Sequence, residues 1–119
     1  MRVRAVSAAF VALAATAGCG GGLAQERADP HPRESDELEA RHWHARVVQL
    51  ERETAVSAEQ GEPCSLRCAL AGRACELTAQ ICALAASDEN DEGTAMLCED
   101  ARSRCATASA SARSRCACG

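Results

Sequence analysis

Between residues 64 and 82 the chain reads CSLRCALAGRACELTAQIC, with cysteines at steps of four, seven and seven. No other spacing in the sequence restricts the fold as much. On an α-helix, Cys64, Cys68, Cys75 and Cys82 fall at roughly 0°, 40°, 20° and 0°, so the four thiols share one narrow stripe. Three later cysteines, Cys98, Cys105 and Cys116, return to roughly 0°, −20° and 0° on a second helical segment. The acidic stretch SDENDEG at 87–93 separates the two and contains no apolar residue. Two thiol-bearing helices joined by a short turn predict an antiparallel αα-hairpin.

Facing residues of an antiparallel hairpin have a constant total of residue numbers. Cys75 with Cys105, Cys82 with Cys98 and Cys64 with Cys116 each total 180, which centres all three pairs on Asn90. Cys68 and Cys118 remain, and Cys118 reaches Cys68 if the tail folds back after Cys116. The rival arrangement pairs Cys64 with Cys118 and Cys68 with Cys116. It would have to match about 16.5 Å of helix to about 10.5 Å at 1.5 Å per residue, so the first set is preferred. Bridged helices must approach to a Cα separation of about 5.5–6 Å. Small neighbours permit this approach: Ala71, Ala79 and Ala86 on one side, Ala101, Ser109 and Ala112 on the other.

The chain needs such staples. Phe10 and Trp43 are its only aromatic residues among 119, and alanine dominates the apolar set. Burial energy follows apolar area, at about 25 cal/mol per Å², so an alanine core is thin and a small domain built on one calls for covalent support. Each bridge contributes about 2–4 kcal/mol. All thirteen basic residues are arginine, and the formal net charge is −4. No basic patch with interleaved aromatics occurs, which argues against nucleic acid as a partner.

Upstream, SDELEARHWHARVVQLERETAVSAEQ at 35–60 carries Ala40, Trp43, Val47, Leu50 and Thr54 at steps of three and four. One apolar stripe on a helix is the expectation, with Asp36 and Glu39 as a candidate capping box. GEP at 61–63 breaks it, and Thr94 is the expected cap of the last helix, which should run to about Arg115. The fold class predicted is all-α: a disulfide-stapled antiparallel hairpin over 61–119 with a preceding third helix, a small three-helix bundle. Opposite the cysteines, Leu66, Leu70, Leu77, Ile81 and Leu84 fall at about 200–260°. This second face either packs under helix 35–60 or serves as a candidate partner-binding face.

The amino terminus reads as an address. MRVR followed by the apolar run from Ala5 to Ala17 is too short to span a bilayer and reads as a secretory signal peptide. The following TAGCGGG resembles the lipobox of bacterial lipoproteins. That resemblance implies a leader over 1–18 and lipid on Cys19 holding the protein to a membrane. Residues 20–34, rich in Gly, Pro and charge without apolar periodicity, read as a flexible tether that makes 19–34 one anchoring segment. Gly20 after the cysteine implies sorting to the outer membrane. Ordinary signal peptidase cleavage after ATA at 15–17 is the alternative. Nine cysteines are an odd number, and lipid on Cys19 leaves eight for disulfides. From residue 61 onward the cysteine pattern, closing in CACG, is similar to small cysteine-rich helical lipoproteins of high-GC bacteria, a resemblance that brings no activity with it.

Neither GxSxG nor HExxH occurs, and no phosphate loop is found, so no enzyme activity and no cofactor are expected. Cysteine-lined helices also resemble copper-storage bundles, and thiolates favour Cu(I) and Zn(II), which makes metal storage the first alternative. His42 and His44 point about 200° apart on a helix and do not form a joint ligand set. A disulfide-rich inhibitor-like module is the second alternative. The leading expectation is a lipid-anchored, non-catalytic binding or scaffolding protein of the cell envelope.

Overall fold

The structure, a computed structural model, describes residues 32–119. Three helices make up the described chain: α1 (Pro32–Glu59), α2 (Cys64–Ser87) and α3 (Glu92–Arg113). All three pack on one another, so the expected all-α three-helix bundle is what forms. The two short connections force α1 and α2, then α2 and α3, to run antiparallel, which leaves α1 and α3 parallel. Contacts confirm that register: Glu37 lies beside Gly93, His44 meets Asp100 and Glu51 meets Arg104.

Each helix end has a local cause. Proline at the first position of α1 suits a residue whose missing N–H would have no intrahelical partner. Helix α1 therefore begins ahead of the expected residue 35, which puts Asp36 inside the helix and takes residues 32–34 out of the expected tether. Its exit is a glycine cap. Gly61 adopts φ +66°, and the N–H groups of Gly61 and Glu62 donate to the carbonyls of Ala58 and Ser57. That left-handed conformation costs glycine no Cβ clash. Pro63 then opens α2, its carbonyl accepting from the N–H groups of Leu66 and Arg67.

At the second turn the expected cap is corrected. Asp91, not Thr94, caps α3: its carboxylate accepts from the Thr94 N–H at 3.0 Å and from the Thr94 hydroxyl at 2.6 Å. Carboxylate at a helix N-terminus also meets the positive end of the helix dipole. Asp88 accepts from the Asn90 N–H, so half of the acidic stretch is occupied in shaping the turn. Helix α3 ends at Arg113, short of the expected Arg115, and Arg115 itself takes φ +70°. That reversal, not a continuing helix, carries Cys116 and Cys118 back along α2.

Six of the eleven core hydrophobics are alanine (Ala40, Ala71, Ala74, Ala101, Ala108 and Ala112), joined by Val47, Leu50, Leu77, Ile81 and Cys98. The expected stripe of α1 is the buried one, with Ala40, Val47, Leu50 and Thr54 each at most 1% exposed and Trp43 packed against the core. Buried threonines are satisfied: Thr54 donates to the Leu50 carbonyl, and the Thr78 hydroxyl lies against the carbonyls of Ala74 and, across the hairpin, Ala101. Helix α2 alone among the described helices is long and apolar enough to cross a membrane by length and composition. Here that apolarity is spent on cysteines and on the faces packed against α1 and α3.

Candidate functional site

The cysteine ladder is the densest chemical feature of the bundle. Four disulfides join α2 to α3 and its tail: Cys82–Cys98, Cys75–Cys105, Cys64–Cys116 and Cys68–Cys118, with Cα separations of 4.8, 4.9, 5.6 and 5.5 Å. This is the preferred set, and the rival pairing of the outer four does not occur. The two inner rungs follow from helical phase. The outer two depend on the reversal at Arg115, since Cys116 and Cys118 stand outside α3. Arg67 braces that tail, donating to the Ser114 carbonyl at 3.2 Å and to the Glu62 carbonyl at 2.9 Å. Of the small seam residues, Ala71, Ala101 and Ala112 are buried between the helices, whereas Ala79 and Ala86 are exposed.

The leucine face opposite the cysteines is divided. Leu77 and Ile81 are buried under α1, at 3% and 0% exposure, and Leu70 and Leu84 pack partly against the core. Of the two expectations for this face, packing under α1 is what occurs at its centre, so it does not form a continuous partner-binding face. Leu66 stays 43% exposed, near the end of the bundle where α1 stops, and Val56 beside it is 48% exposed. Together they border a shallow groove of about 550 Å³ between α1 and α2 whose rim includes Arg52, Gln60 and Glu62. On its wall the buried Ser57 hydroxyl has no hydrogen-bond partner among the described residues.

A polar chain that sequence reasoning missed joins α1 to α3. His44 Nε2 lies 2.5 Å from Asp100 Oδ2, Arg104 Nε donates to the same oxygen at 2.6 Å, and Arg104 Nη1 donates to Glu51 at 2.7 Å. The hydrogen bond from Arg104, followed by that from His44, holds the Asp100 carboxyl below the usual aspartate range. The same bonds, to Asp100 and then Glu51, raise Arg104. Its groups come from helices far apart in sequence, and only the parallel packing of α1 and α3 assembles them. A spacing signal within one helix cannot reveal them.

His42 is exposed and turned away from His44, and no group of three histidine, cysteine or acidic side chains is placed to hold a metal among the described residues. Cys19 and the leader lie outside the described residues. No protein-family model, curated protein or solved structure matches the chain.

Proposed function

We propose that the protein is a lipid-anchored, non-catalytic component of a bacterial cell envelope, a disulfide-stapled bundle held at the outer membrane through Cys19 and acting as a binding or scaffolding module. One observation carries this reading. The chain has nine cysteines, and eight are consumed in four mutual disulfides. The ninth, Cys19, has no cysteine left to pair with in the chain, and it is the one that follows the apolar leader and precedes three glycines. Four bridges also suit an oxidising compartment outside the cytoplasm. Tied-up sulfurs supply no thiolates, which favours this reading over a thiolate metal store. Leu66 and Val56, which border the groove between α1 and α2, are the apolar surface proposed for a protein partner; Leu38 and Met96 are the other large apolar side chains left exposed among the described residues.

Metabolic labelling with a fatty acid in a bacterial host tests the anchor. The full-length chain is expected to incorporate label and to sediment with membranes, while Cys19→Ala incorporates none and is released. Label retained by Cys19→Ala, or absent from the wild type, removes the lipid anchor from this account.

A further inference from the structure

The glycine within α2 has no packing reason to be there. Glycine inside a helix costs about 1 kcal/mol relative to alanine. At Gly72 an added Cβ would meet nothing within 4 Å, so the approach of α3 does not require it. What the missing side chain does is leave open a groove of about 340 Å³ between α2, α3 and the tail, floored also by the buried Ala71 and Ala112. Both cysteines of the Cys68–Cys118 bridge line this groove, together with Cys75 of the next rung, whereas Cys116 and the more exposed Cys64 lie outside it. Arg113 supplies the groove's only charged side chain, and it makes no ion pair among the described residues. In a chain of net charge −4, a free guanidinium beside an accessible disulfide is a distinctive pairing.

We propose that Cys68–Cys118 is a thiol-exchange site for a small anionic thiol of the glutathione class. The thiol enters as its thiolate, drawn by Arg113, and attacks Cys118 Sγ. A new S–S bond forms between ligand and Cys118, the Cys68–Cys118 bond breaks, and its electron pair leaves on Cys68 as a thiolate. Attack by Cys68 on Cys118 reverses the step and expels the ligand, so no outside oxidant or reductant enters the balance. The polarity follows from where the two cysteines sit. Cys68 is fixed within α2, so once released as a thiolate its sulfur stays in reach of Cys118 for the return attack. Cys118 stands in the non-helical tail, whose Cys116 stays bridged to Cys64 and keeps the modified segment in place. Of the inner rungs, Cys82–Cys98 is screened, Cys98 being only 5% exposed, and Cys75–Cys105 reaches the groove through Cys75 alone.

The test treats native full-length protein with reduced glutathione at mildly alkaline pH, blocks free thiols by alkylation, and maps both modifications by mass. One glutathione on Cys118 and one alkylated thiol on Cys68, with the other three bridges intact, is the expected product. Glutathione should react faster than cysteamine, a cationic thiol. Arg113→Gln should slow glutathione about threefold or more at low salt and spare cysteamine. Gly72→Leu, which fills the groove and improves helix propensity, should slow both thiols while far-UV circular dichroism stays that of the wild type. The proposal is overturned if no adduct forms, if adducts appear first on Cys64–Cys116 or spread over all rungs, if cysteamine reacts as fast as glutathione, or if the folded Gly72→Leu variant reacts at the wild-type rate.

Discussion

The two interfaces of α2 are made of different materials. Toward α3 it presents cysteine and alanine, and four covalent bridges hold the helices at Cα separations of 4.8–5.6 Å. Toward α1 it presents Leu77 and Ile81, which meet Val47 and Leu50 in one core with no covalent link. The first interface can do with small side chains because the bridges limit the unfolded chain. The second depends on apolar area, helped by the polar chain through Asp100 and Arg104. Helix α1 is thus the part of the bundle expected to open independently, while the hairpin stays closed.

Leu50→Ala breaks that comparison most directly. Truncating a buried leucine costs about 2–5 kcal/mol, and Leu50 is 1% exposed. The cost should fall on α1 alone. Amide hydrogen exchange is expected to accelerate across residues 34–59 while the amides of α2 and α3 near the rungs keep their protection. Uniform acceleration in all three helices would mean that the bundle opens as one unit.

A smaller effect comes from acid. Asp100 is held below the usual aspartate range chiefly by Arg104 and then by His44. A carboxyl with a depressed folded pKa contributes stability that is fully present above its unfolded value, about 3.9, and is lost as pH falls through the folded value. Since the Asp100 side chain is 47% exposed, solvent screening limits the contribution to less than about 1 kcal/mol. Protection of α1 should therefore weaken below about pH 4, and Asp100→Asn should remove that part of the pH dependence. An identical acid profile in the variant would leave the polar chain without a role in docking α1.

Much of this architecture is legible from the residues, and the exceptions share a physical reason. The cysteine phases and the constant total about Asn90 fix which helix faces which, because a bridge demands close and mutual placement. The stripe Ala40, Val47, Leu50 and Thr54 marks the buried face of α1 through its period alone. Periodicity does not say where a neighbouring helix stops, so it could not separate Leu77 and Ile81, which α1 covers, from Leu66, which it leaves exposed. Nor does it show which of several polar residues in a turn takes the cap. Thr94 looks like a cap by type, yet Asp91 offers two acceptor oxygens and takes the role. The His44–Asp100–Arg104–Glu51 chain depends on a parallel register between helices that never adjoin in sequence. The groove at Gly72 shows in the sequence only as a glycine within a helical run.

The central claim, that eight cysteines are fully paired and the ninth is reserved for lipid, is tested most directly by the intact mass of membrane-extracted native protein, alkylated before and after reduction. The account predicts no alkylation before reduction, eight alkylated cysteines after it, and the added mass of acyl chains on the fragment that begins at Cys19. Free thiols in the native protein, or a ninth cysteine that alkylates and carries no acyl mass, would contradict it.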